Sequence, residues 1–150
     1  MHSRTPGIRP TKPPVRLVFL LATIAAIIAA SSGALSTHAS SMKPAIETKS
    51  NIGTVIATPM KLGIYYWDVE KTAGGKIRCT GACLKQWPPV YVTGAVPKHV
   101  TGVMATFGSI KRGMKRQLTV NGLPAYTYVG DKAGVVKCDG VDGWHVAKPM

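Results

Sequence analysis

A chain of 150 residues has room for one domain, and 19 Lys and Arg against six acids give it a formal charge of +13. It contains no phosphate-cradling Gly-rich loop, no Ser-centred nucleophile elbow, no Cys-x-x-Cys and no Cys-x-x-Cys-His. Those absences leave phosphate-loop chemistry, Ser-based acyl transfer, thioredoxin-like exchange and covalent haem attachment without support. No catalytic set, cofactor or metal site is expected.

The N-terminus carries the first message. Residues 1–16 hold Arg4, Arg9, Lys12 and Arg16 with no acid, and residues 17–30 (LVFLLATIAAIIAA) form an uncharged apolar run. The chain then turns small and polar, and Thr37 and Ala39 suit a cut after Ala39. A positive region, a short apolar region and a small-residue exit are the parts of a secretory signal peptide, expected over residues 1–39. The alternative is an uncleaved inner-membrane anchor through residues 17–35, close to the roughly 20 apolar residues a span requires. On either reading the positive flank stays inside, and the rest lies in the periplasm or outside the cell.

Removing residues 1–39 takes four basic residues and no acid, which leaves +9. That balance favours anionic envelope partners, lipid or cell-wall polymer. The lysines are scattered, and the one dense cluster, Lys111-Arg112 with Lys115-Arg116, reads as a solvated loop, so no nucleic-acid partner is expected.

Residues 40–51 are polar, carry Pro44 and lack periodicity, which reads as a tether. Strand signals follow at residues 54–57, 62–69 (LGIYYWDV), 116–120, 123–129 (LPAYTYV) and 143–147 (GWHVA). Asn121-Gly122 between two of these runs is a hairpin signal, because a type I′ turn needs positive φ at both central residues. Pro124 cannot donate to a ladder and argues for an edge or a non-bonded position. One short helix is expected over residues 81–86, stopped by Pro88 and Pro89. The expected fold is a small antiparallel all-β domain over residues 52–149.

An internal repeat organises that domain. Ile64-Tyr65-Tyr66-Trp67 aligns with Ala125-Tyr126-Thr127-Tyr128, Cys79-Thr80-Gly81 with Cys138-Asp139-Gly140, and Trp87 with Trp144. Two pseudo-symmetric copies, about 52–90 and 116–149, would share one aromatic interior that neither covers alone. With a period of two, Tyr65 and Trp67 share one face, and Tyr126 and Tyr128 the matching one. An aromatic core is the first expectation for these rings, and a ligand-stacking site the second.

Three cysteines in an exported chain leave at least one thiol over. Cys79 and Cys83 are expected to form a local disulfide, with Cys138 free or an alternative partner. If the residues between Cys79 and Cys83 were helical, the two thiols would share a face and could serve a metal with His99 or His145, although the usual structural zinc spacing is missing. His99, His145, Cys138 and Met150 supply the ligand types of a copper site without its order. Asp131 is expected to cap a turn by accepting backbone N–H groups. Asp139 and Asp142 could offer oxygens to a cation, far short of an EF-hand loop.

At these residues the chain resembles a bacterial secreted or lipoprotein repeat family of unknown function, defined by a Tyr-x-(Phe/Trp/Tyr)-x-x-Asp motif. Tyr126, Tyr128 and Asp131 match it fully; Tyr65 and Trp67 match, with Glu70 in place of Asp. Cys79, Gly81, Cys83, Trp87, Pro88 and Pro89 fit the family's Cys-x-Gly-x-Cys and Trp-Pro-Pro pattern, and Asn121, Gly122, Pro124 and Tyr126 its hairpin. The chain departs in lacking a lipid-accepting cysteine and in carrying Cys138. The resemblance implies a bacterial envelope protein. The expected role is a non-enzymatic binding or structural module; the rivals are a redox or metal-handling protein using Cys79 and Cys83, and an enzyme acting on envelope polymers.

Overall fold

A computed structural model describes residues 43–150; the expected signal segment lies outside them. The first strand falls where the sequence suggests a tether. β1 (Ile46–Ser50) pairs antiparallel with β2 (Gly53–Ala57), from Ile46 opposite Ala57 to Ser50 opposite Gly53. The correction has a simple cause. β1 has little apolar content of its own, and β2 brings the burial: Val55, Ile56 and Ala57 are all buried, Ile56 in one core cluster and Val55 in the other. A strand covered on both faces shows a continuous apolar run, and its partner needs only edge-compatible residues.

β3 (Tyr65–Trp67) is shorter than the aromatic run that announces it. At Asp68 the chain enters α1 (Asp68–Thr72), with Asp68 and Glu70 in the first turn, where carboxylates complement the helix dipole. This helix was not legible as one, and it turns Glu70 into the interior. The loop after it closes tightly: a Cβ on Gly75 (φ 79°) would stand 2.5 Å from the Gly122 carbonyl oxygen, so only glycine fits against the later hairpin turn. α2 (Cys83–Gln86) sits within the expected residues 81–86 and stops before Pro88.

The largest sheet is centred on β6 (Lys115–Val120). Along one side lies β5 (Phe107–Arg112); along the other lie β4 (Tyr91–Val92) and β7 (Leu123–Pro124). Asn121 and Gly122 carry φ of 51° and 80°, the positive values a type I′ turn demands. The basic cluster is corrected here too. It is the far end of the β5–β6 hairpin, with Lys111 opposite Arg116 and Arg112 opposite Lys115, rather than a loop. β5 (FGSIKR) escapes notice because Gly108 and Ser109 interrupt any apolar alternation. β8 (Trp144–Val146) closes the domain against β3.

Backbone bonds across the middle of the domain come in matching pairs. Tyr65 N–H donates to the Tyr126 carbonyl at 2.8 Å, and Tyr126 N–H to the Tyr65 carbonyl at 2.9 Å. Ile64 N–H bonds the Ile56 carbonyl as Ala125 N–H bonds that of Leu118, both at 2.9 Å. Asp68 N–H reaches Gly143 as Val129 N–H reaches Gln86. Each aromatic segment is therefore tied to the tail of the other half of the domain. The domain is all-β in character, and among the described residues no helix is long and apolar enough to cross a membrane.

Candidate functional site

The motif acids and motif tyrosines bond crosswise. Tyr65 O–H donates to Asp131 Oδ2 at 2.7 Å, and Tyr126 O–H donates to Glu70 Oε1 at 2.7 Å. Each acid also holds the backbone near its own cysteine. Glu70 Oε1 accepts Arg78 N–H at 2.7 Å and Cys79 N–H at 3.0 Å, while Asp131 Oδ1 accepts Lys137 N–H at 2.9 Å. Asp131 thus anchors a turn as expected, and Glu70 does the same from full burial. Arg112 completes the first of these networks through Gln117 Oε1 (2.8 Å), the Tyr126 hydroxyl (3.1 Å) and the Cys79 carbonyl.

Burial shapes how these groups titrate. It pushes the Tyr65 phenol far up, with the Asp131 bond and charge adding to it. It raises Tyr126 to about 12, reinforced by Glu70, and it raises Asp131 as well. In the unfolded chain both phenols ionise near pH 10. Above that pH the unfolded state sheds protons that the folded state keeps, so stability falls as pH rises. Denaturant midpoints measured from pH 8 to 11.5 are expected to drop above pH 10. The Tyr65→Phe/Tyr126→Phe variant should flatten that drop, and an unchanged slope in it would refute the assignment.

Cys79 and Cys83 form a disulfide with Cα atoms 5.4 Å apart, and Cys138 is a free, half-buried thiol. The bridge closes a very short loop and contributes no more than about 2 kcal/mol. Its value is local, fixing the start of α2, where the Cys83 carbonyl accepts Trp87 N–H at 2.9 Å. With both cysteines bridged, neither offers a thiolate to a metal. Burial raises the Cys138 thiol, and the charges of Asp131 and Asp142 add to that, which disfavours its thiolate. Among the described residues no three His, Cys, Asp or Glu side chains gather as a metal site. His145 faces Asp68 at 2.9 Å, and Asp139 accepts Val146 N–H and pairs with Lys148 at 3.0 Å.

The six motif aromatics form one assembly. Tyr65, Tyr126, Trp87 and Trp144 are buried, and half-buried Trp67 and Tyr128 pack against them. Trp144 lies between two indoles, with Trp87 stacked at 3.8 Å and Trp67 parallel at 5.2 Å. Tyr128 meets Trp87 at 4.8 Å. The stack runs Trp67–Trp144–Trp87–Tyr128 and opens on a groove of about 430 Å³, which Cys83, Gln86, Cys138, Val141 and Asp142 also line. Trp67 is fixed there by its indole N–H, which donates to the Asp142 carbonyl at 3.1 Å. A second hollow of about 450 Å³ lies beside Tyr66, Lys71, His145 and Lys148, where most charged groups are already paired.

The structure thus brings the six motif aromatics and the motif acids Glu70 and Asp131 into one connected unit, while Asp139 lies at the second hollow. Sequence reasoning missed Gln117 and Gln86, read Arg112 as part of a solvated loop, and weighed Asp142 as a cation ligand where it instead lines the groove. Arg112 and Gln117 are obscured because a basic run reads as surface, and a lone buried Gln carries no periodic signal. No family model, curated protein or solved structure matches this chain.

Proposed function

We propose that the chain is exported to the bacterial envelope and acts there as a non-enzymatic binding module, and that its domain is a duplicated unit of the Tyr-x-(Phe/Trp/Tyr)-x-x-Asp repeat family. The observation that carries the binding role is the groove beside the indole stack. A concave site with aromatic walls and a few convergent polar groups is the usual form of a ligand pocket. The matching backbone bonds and crossed Tyr–acid pairs support duplication, since each half supplies what the other lacks. The signal-like N-terminus, the disulfide and the +9 charge of residues 40–150 support export to a compartment rich in anionic polymers.

Fractionation of the native host with co-sedimentation on isolated envelopes tests this function. The protein is expected in the periplasmic, membrane or released fraction, to pellet with envelopes, and to titrate one thiol both natively and in denaturant. Recovery in the cytoplasm, or failure to pellet, would sink the envelope-binding role. Three titratable thiols would instead favour the redox or metal-handling rival.

A further inference from the structure

We propose that the groove beside the indole stack binds a pyranose ring of an anionic envelope glycan. This rests on the binding-module function above and names its ligand class. Trp87 and Trp144 line the groove and are 5% and 4% exposed. The Trp67 indole N–H has a protein acceptor, but those of Trp87 and Trp144 have none among the described residues. Neither nitrogen is sealed in, since the one buried, unpartnered side-chain polar atom among the described residues is Glu70 Oε2. Both N–H groups are therefore left to solvent. Two such donors on groove-lining residues are open to a ligand that brings oxygen atoms.

The rim supplies the complement. Asp142 and Gln86 are exposed, and neither side chain bonds a described residue, so a carboxylate and an amide stand ready for hydroxyl groups. Half-buried Trp67 adds an aromatic surface. A pyranose ring presents both chemistries at once: a face of C–H bonds that packs on an indole, and hydroxyls around its edge that donate and accept. A quaternary ammonium ion would also suit aromatic walls with a nearby carboxylate. It gives no acceptor to the two indole N–H groups, however, and the +9 charge repels it. The same charge selects acidic over neutral glycans. Exposed Lys85 and Lys137 adjoin the groove residues Gln86 and Cys138 in the chain.

Tryptophan fluorescence titration of the purified protein tests the proposal with three probes: hexagalacturonate, chitohexaose and tetramethylammonium. Saturable binding of hexagalacturonate is expected, with at least tenfold weaker binding of chitohexaose and none of tetramethylammonium. Trp67→Ala should weaken hexagalacturonate at least tenfold and Gln86→Ala several-fold. Gln86 is exposed on a short helix, so that variant keeps the test valid should Trp67→Ala fail to fold. Tyr91→Ala, an exposed ring outside the groove, should bind as wild type. Hexagalacturonate binding that both groove variants retain would assign it to surface lysines and overturn the proposal. Tighter binding of tetramethylammonium would overturn it in favour of a cation cage. Co-sedimentation with envelopes but no saccharide titration would overturn the sugar assignment and leave the binding-module function standing.

Discussion

Replacing Trp144 with alanine is expected to lower unfolding free energy by about 3–5 kcal/mol, the range for removing a large buried aromatic side chain. Trp144 is 4% exposed, stacks on Trp87 at 3.8 Å and on Trp67 at 5.2 Å, and meets the Tyr126 ring edge-on at 5.2 Å. Its loss deletes the middle of the stack, and two neighbouring rings are held against collapse into the gap, Tyr126 by its hydroxyl on Glu70 and Trp67 by its indole N–H on the Asp142 carbonyl. Trp87→Ala should cost a similar amount, since that ring touches Tyr65 and Tyr128 besides Trp144. The pair should be less than additive, because the second truncation enlarges a cavity that already exists. Urea unfolding followed by backbone circular dichroism is the suitable measure, as it does not depend on the deleted fluorophores. A loss below about 1 kcal/mol for Trp144→Ala would mean the stack contributes little to the folded state.

The aromatic interior was legible because it is written locally. Tyr65, Trp67, Tyr126 and Tyr128 sit at alternate positions of β-rich runs, and Asn121-Gly122 has a turn chemistry few other dipeptides share. The Cys79–Cys83 bridge was legible because the two thiols lie close together in the sequence, with Cys138 far along the chain. What escaped depends on long-range pairing. β1 is a polar segment made into a strand by β2, and β5 becomes one through β6, over the whole register from Phe107–Val120 to Arg112–Lys115. Context overrides weak local preference in both. The groove was only half legible. Its rings were identified, but Gln86 and Asp142 reach it through the tertiary fold. Asp142 also holds a φ of 50°, a conformation Asp tolerates better than most residues and one that gives no sequence signal on its own.

The crossed acid–tyrosine bonds lead to the second large effect. Glu70→Ala is expected to cost at least about 3 kcal/mol, because a single oxygen, Oε1, satisfies three donors and removing it strands each of them at about 1 kcal/mol or more. Oε2, buried without a partner, adds nothing to hydrogen bonding. Glu70→Gln keeps an acceptor in the same place and the same volume, so its cost should be clearly smaller than that of alanine. A double-mutant cycle isolates the link between the two halves of the domain. Tyr126→Phe removes one of the three donors and should destabilise the native chain, yet it should have a reduced effect once Glu70 is alanine, giving a coupling within the 0.5–3 kcal/mol typical of residues in contact. Arg112 also bonds the Tyr126 hydroxyl, so some cost of Tyr126→Phe should survive in the Glu70→Ala background. Strict additivity in urea unfolding would mean that Glu70 serves the Arg78–Cys79 turn alone, and the crossed bond would then contribute nothing to joining the halves.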